Sequence, residues 1–315
     1  MKILLAFILV LSGCNTKIIA APVPIPAPNP QACQSRPTSP LPFFIRDRST
    51  HRGQAFVPPN KEYISANSKL VGGIDELSFN KILDTVQAIY TPIFSSVGAT
   101  FDIERKWEDG TVNAYAYQQG SKWVISMFGG LARYPSMTAD GFLLVACHEI
   151  GHHLGGAPIY TDEWASVEGQ SDYYGVSKCM RRVFHTIGFT PPPESTDEDL
   201  KYADGVCNDV HVTEDDQGMC RKSIRAGVSV ARLFSDLGGE EVSQFKTPDE
   251  TIVDATQESH PDAQCRLDTY FHGALCDASY LASVSPIDPK IGYCNRTDGC
   301  GVMGTRPLCW YKSNE

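Results

Sequence analysis

Apolar positions along the chain repeat at two different periods, and the switches between them mark its elements. Phe79, Ile82, Val86, Ile89 and Ile93 recur at the spacing that lines one face of a helix. Ser78 is the candidate N-cap of that helix and Pro92 stands near its end. Thr100 to Trp107, Thr111 to Tyr117 and Lys122 to Met127 are instead rich in aromatic and β-branched residues, which predicts three strands. Asp109-Gly110 and Gln119-Gly120 fall between them as hairpin signals, so the expected sheet is an antiparallel meander. Helical spacing then returns, with Leu143, Cys147, Ile150 and Leu154 on one side. Thr138 or Ser136 can cap this helix, and Gly155-Gly156 followed by Pro158 stops it. A second helix is expected from about Thr161, with Asp162 and Glu163 in its first turn. Ile224 to Leu237 reads as a further, packing helix. The order helix, sheet, helix, helix predicts an α+β domain.

The helix after the sheet carries His148-Glu149-Ile150-Gly151-His152. Residues four apart share a helix face, so His148 and His152 can offer two imidazoles to one metal ion with Glu149 on the adjoining edge. The expected ion is Zn²⁺, one per chain, and the expected chemistry is hydrolysis by an activated water with Glu149 as the base. Catalytic zinc usually takes three protein ligands and keeps a position open. Glu168 is the candidate third ligand, with Asp162 and Glu163 as competitors. Asp172 lies one turn beyond Glu168 and is the candidate carboxylate that fixes the tautomer of a ligand histidine. Without a metal, Glu168 and Asp172 would be two solvated carboxylates on a helix face. His153 lies off the ligand line and is read as structural. Strand Lys122 to Met127, the last before the zinc helix, is a candidate for pairing with an extended substrate.

These segments resemble the gluzincin metallopeptidases of the HtpX, Oma and CAAX-processing type, in particular their soluble periplasmic members. Asn113-Ala114-Tyr115-Ala116 is similar to the family's N-A-F-A strand, and His148 to His152 to its zinc helix. Glu168 to Asp172 is similar to its E-x-x-A-D box, with Ser171 where alanine is usual. Ser259-His260-Pro261 followed by Arg266-Leu267 is similar to its T-H-P…R-I segment. The resemblance spans roughly residues 75 to 270 and implies a zincin-like fold. It also implies zinc on His148, His152 and Glu168, and His260 and Arg266 near the site, stabilising an oxyanion or holding the Glu168 helix. The chain departs from the pattern in the short interval between His152 and Glu168, and in a longer, cysteine-richer segment before His260. His211, His272, Tyr160 and Tyr174 are further candidates for the oxyanion donor that such chemistry requires.

The N-terminus adds an address. Lys2 precedes an apolar run from Ile3 to Leu11, too short to span a bilayer. Leu11-Ser12-Gly13-Cys14 resembles a bacterial lipoprotein signal box, which implies a lipidated Cys14 and anchoring to the membrane through it. Asn15 favours the outer membrane facing the periplasm, with the cell surface as the alternative. With Cys14 set aside, an even number of the 11 cysteines remains, which in an exported chain suggests disulfides. Cys207 and Cys220 form an attractive local pair, while Cys265, Cys276, Cys294, Cys300 and Cys309 crowd the end of the chain. A Cys147–Cys179 bridge is disfavoured if the second helix is continuous, because Cys179 then lies roughly 16 Å along the axis from Glu168.

The resulting organisation is a signal peptide over 1–13, a lipidated and proline-rich tether over 14–42, a catalytic domain over 43–195 and a disulfide-stapled, helical and loop-rich section over 196–315. A net charge of −10 argues against nucleic acid as a partner. The expected partner is a protein or peptide substrate in the cell envelope. Two other classes share the zinc motif: a binding or chaperone-like lipoprotein without turnover, and a zinc amidase acting on the cell wall.

Overall fold

The computed structural model describes residues 54–70, 72–296 and 303–313. The expected signal peptide and tether, including Cys14, therefore lie outside the described residues, as do Cys33 and Cys300. Helix α1 (Glu76–Ser96) starts one turn ahead of its apolar stripe, and Asp75 rather than Ser78 caps it. The Asp75 carboxylate accepts from the Ser78 N–H at 2.8 Å, so the residue expected to cap is the one being capped. Phe79, Leu83, Val86, Tyr90 and Phe94 form the buried stripe.

The sheet contains β1 (Gln54–Ala55), β2 (Thr100–Lys106), β3 (Ala114–Gln119) and β4 (Lys122–Phe128), in the order β1-β3-β4-β2. β3 and β4 make the expected hairpin around Gly120, whose φ of 58° suits a glycine turn. The expected meander does not extend to β2, which pairs parallel with β4, so the sheet is mixed. Asp109-Gly110 opens a crossover rather than a hairpin. The Asp109 carboxylate folds back on the Thr111 N–H and hydroxyl at 3.0 and 2.7 Å. The carbonyls of Asp109 and Thr111 are then taken by Gly130 and Leu131 of the short helix α2 (Gly129–Ala132). Residues 109–111 thus bond to the segment after β4 and cannot pair with β2, and β3 begins at Ala114 rather than Thr111. β4 has neighbours on both edges, so it is not available for strand addition, contrary to expectation.

Helix α3 (Ala139–Leu154) is capped by Thr138, whose hydroxyl accepts from Gly141 N–H at 3.0 Å. It is buried from Gly141 to Leu154, on the histidine side as well as the apolar side. The expected helix from Thr161 is absent. Ile159 bridges to Ser166, Asp162 sits at φ 59° in an exposed turn, and α4 (Glu168–Tyr174) starts only after Val167. α4 runs on through a π-helical segment (Gly175–Met180) into α5 (Arg181–Ile187). α3 and α4 pack closely because Gly151 has no side chain; a Cβ there would stand 2.8 Å from the Ser171 Cα.

The Cys147–Cys179 disulfide disfavoured from the sequence is present, with Cα atoms 5.5 Å apart. Two features account for it. Gly175 lies against the backbone of Cys147 and His148, so Cys179 needs to be only one turn beyond that contact. The helix carrying Cys179 is also not a regular α-helix there but is wound as a π-segment, which shifts its register. Cys207–Cys220, Cys265–Cys309 and Cys276–Cys294 are the other bridges among the described residues.

The C-terminal section contributes α6 (Glu198–Val210), α7 (Glu214–Gly238) and α8 (Ala263–Leu275). α7 lies against α3, and α8 against α4. One hydrophobic core runs from Phe56 to Tyr311 through both halves of the chain. No helix among the described residues is long and apolar enough to cross a membrane.

Candidate metal centre

α3 and α4 bring three of the predicted residues to one point. His148 Nε2 lies 3.3 Å from Glu168 Oε2, and His152 Nε2 lies 3.6 Å from Glu168 Oε1. Tetrahedral ligation by nitrogen and oxygen at about 2.0–2.1 Å separates donor atoms by roughly 3.3–3.4 Å, so these spacings suit a small divalent cation. His148 Nε2, His152 Nε2 and Glu168 Oε2 are buried and have no hydrogen-bond partner. Buried polar atoms are rarely left so, and three of them converging on one point fit a cation. The competing ligands do not reach: Asp162 is exposed and Glu163 half-buried, both in the turn before α4.

The other ring nitrogen of each histidine is held. His148 Nδ1 meets Asp172 Oδ1 at 2.7 Å, and His152 Nδ1 meets the Ser166 carbonyl at 2.8 Å. Both contacts place the proton on Nδ1 and leave Nε2 free for a metal. Asp172 Oδ1 also accepts from Arg266 Nη2 at 2.6 Å and from the Tyr270 hydroxyl at 3.0 Å. Arg266 is fully buried, and its guanidinium lies over the rings of Phe234 and Phe56. Tyr270 was not singled out in the sequence, although it follows Arg266 by one helical turn and so shares its face.

Glu149 is fully buried with both carboxylate oxygens unpartnered. Burial pushes its carboxyl up to about 8, against the pull of the neighbouring His148. Burial drives His152 down to about 4. At His148 burial also disfavours the cation, but the carboxylates of Asp172 and Glu168 outweigh it and raise the imidazole to about 9. A proton and a metal ion compete for the same Nε2 lone pair, so metal uptake at this triad displaces protons.

Among the candidate oxyanion donors, two reach the centre. His260 Nε2 is 3.5 Å from Glu168 Oε2, and the Tyr160 hydroxyl donates to Glu168 Oε1 at 2.9 Å. The others are engaged elsewhere: His211 with the Ala274 carbonyl, Tyr174 with Tyr90, and His272 with the Thr305 backbone. His153 is stacked between Trp123 and Trp164, and its Nε2 faces the Val124 carbonyl, which anchors α3 to β4. Ala55 and Phe56 also reach the site and carry no motif or spacing that marks them. The Phe56 ring meets His148 edge-on with centroids 4.9 Å apart, and a two-residue strand carries no periodicity to detect. Comparison with family models, with curated proteins and with solved structures finds no match to this chain.

Proposed function

We propose that the chain is a zinc-dependent metallopeptidase with a zincin-like arrangement, similar to the gluzincins of the HtpX, Oma and CAAX-processing type, that hydrolyses peptide bonds in the bacterial cell envelope. One observation carries the reading: two imidazole nitrogens and a carboxylate oxygen converge without partners, with the unpartnered Glu149 carboxylate within electrostatic reach of His148 and Glu168. Two neutral histidines and one carboxylate are a common donor set for catalytic zinc. Bound there, zinc would polarise a carbonyl and make a water molecule acidic.

The remaining work falls to the protein's own groups. Glu149, on the same helix as both histidines and with its carboxylate oxygens unpartnered, takes the proton of the attacking water and passes it to the leaving amine. Asp172 and Ser166 fix the histidine tautomers, and Arg266 and Tyr270 hold Asp172 in place. His260 and Tyr160 are the donors for charge developing on the substrate carbonyl oxygen. The signal box around Cys14 supports a lipid anchor, and the four disulfides among the described residues suit an oxidising compartment. The full burial of the triad favours, as the second reading, a closed binding lipoprotein without turnover. Cleavage of an unfolded protein or peptide by the zinc-loaded chain, lost in Glu149→Gln at unchanged metal content, supports the peptidase. Equal turnover in that variant removes Glu149 from the mechanism.

A further inference from the structure

β1 occupies the outer edge of β3 next to the metal centre. Gln54 pairs with Ala116 and Ala55 with Tyr115, antiparallel, and the Phe56 N–H donates to the Ala114 carbonyl at 3.0 Å. The Ala55 carbonyl accepts from His260 Nε2 at 2.7 Å, the same nitrogen that stands 3.5 Å from Glu168 Oε2. A peptide awaiting cleavage needs the same two things: main-chain pairing with a sheet edge, and a carbonyl beside both the metal and a hydrogen-bond donor. Ala55 has both.

The segment is held firmly on its C-terminal side. Phe56 and Val57 are fully buried. Arg266 Nη1 donates to the Phe56 carbonyl at 3.2 Å, and the Asn113 amide clamps the N–H and carbonyl of Val57 at 3.1 Å each. Gln54 and Ala55 are half-buried. A cleft of about 180 Å³ between Pro58, Phe234, Leu237 and Pro261 opens beside His260, whose side chain is 24 % exposed. We propose that Gln54–Ala55 is a built-in strap that mimics the substrate backbone. It closes the centre by filling the β3 edge and the His260 donor position, and it swings out at Phe56–Val57 when an extended polypeptide adds to β3. The inference rests on the metallopeptidase reading and names the regulation of that site. It also accounts for ligands that are complete yet fully buried.

A covalent lock tests the strap. Phe56 and Ala114 are a hydrogen-bonded pair, so Ala55 and Tyr115 next to them are a non-hydrogen-bonded pair, whose Cα atoms lie about 4.5 Å apart in an antiparallel ladder. That separation admits a disulfide. The full zinc-loaded chain carrying Ala55→Cys and Tyr115→Cys, oxidised, is compared with each single variant by cleavage of a quenched fluorescent peptide and by the rate of zinc extraction with dipicolinate. Both rates should fall at least tenfold in the locked chain at unchanged zinc content. In Gln54→Pro, which removes a ladder N–H at a half-exposed position, both should rise about threefold or more. Unchanged rates in the locked chain overturn the strap; if that chain does not fold, unchanged rates in Gln54→Pro do the same. Extraction that responds to the lock while no form cleaves peptide upholds the strap and refutes the peptidase. A chain that takes up no zinc in any form overturns both.

Discussion

Replacing Asp172 with alanine probes what holds the buried side of the centre together. Asp172 Oδ1 meets His148 Nδ1, Arg266 Nη2 and the Tyr270 hydroxyl at 2.7, 2.6 and 3.0 Å, and all four residues are fully buried. Without the carboxylate, the Arg266 guanidinium keeps no anionic partner in contact, only the Phe56 carbonyl, the Tyr270 oxygen, His148 Nδ1 at 3.4 Å and the faces of two aromatic rings. Breaking one side of a buried charge pair costs about 3–5 kcal/mol, mostly because the other charge remains buried and unmatched. The measurement is urea unfolding of the chelator-treated protein, so that metal binding to the folded state does not enter. Asp172→Ala should lose about 3–5 kcal/mol with an unchanged denaturant slope. The pair Asp172→Ala with Arg266→Met removes both charges and should lose at least ~1.5 kcal/mol less than the sum of the two single losses. A loss below about 1 kcal/mol for Asp172→Ala, or strict additivity in the pair, would refute the reasoning.

Four further outcomes follow from the geometry. Glu168→Ala should abolish tight zinc binding under mild chelation; retention would move the third ligand elsewhere. Gly151→Ala sets a Cβ 2.8 Å from the Ser171 Cα and oxygen, both backbone, so it should cost about 1–3 kcal/mol and weaken zinc binding by separating α3 from α4, read by unfolding and competition titration. His153 is driven by burial to about 3 from the ordinary 6.5, so the folded state holds it neutral. Its contribution is whole above pH 6.5 and is lost as pH falls from 6.5 towards 3; in His153→Phe the acid side of the stability curve should be flatter, by unfolding midpoints across that range. Zinc uptake near pH 7 should release protons, because His148 is raised to about 9 in the metal-free protein, and calorimetry in buffers of different ionisation enthalpy measures the number.

The parts of this protein that were legible in its sequence are those governed by local periodicity. The α1 helix, the β3–β4 hairpin at Gly120 and the α3 helix with its two histidines follow from spacing and turn chemistry alone, although the buried stripe of α1 takes Leu83, Tyr90 and Phe94 where Ile82, Ile89 and Ile93 were expected. Asp172 was legible as a carboxylate one turn from Glu168 on the same helix face. What escaped was set by contacts between distant segments. Strand β2 runs parallel to β4 because residues 109–111 bond to α2, and nothing in residues 100–128 announces that. The Cys147–Cys179 bridge depends on Gly175 bringing two helices together and on a π-segment, neither visible as a break in the apolar pattern. The Ala55–His260 contact joins residues far apart in the chain through a strand of two residues.

The proposed activity requires a metal ion held by His148, His152 and Glu168. The most direct measurement is the zinc content of the purified chain, by elemental analysis, beside that of His148→Ala. One zinc per chain is expected in the parent, and its loss in the variant. A folded parent chain with its disulfides formed that takes up no zinc on reconstitution, or a variant that retains it fully, would contradict the account.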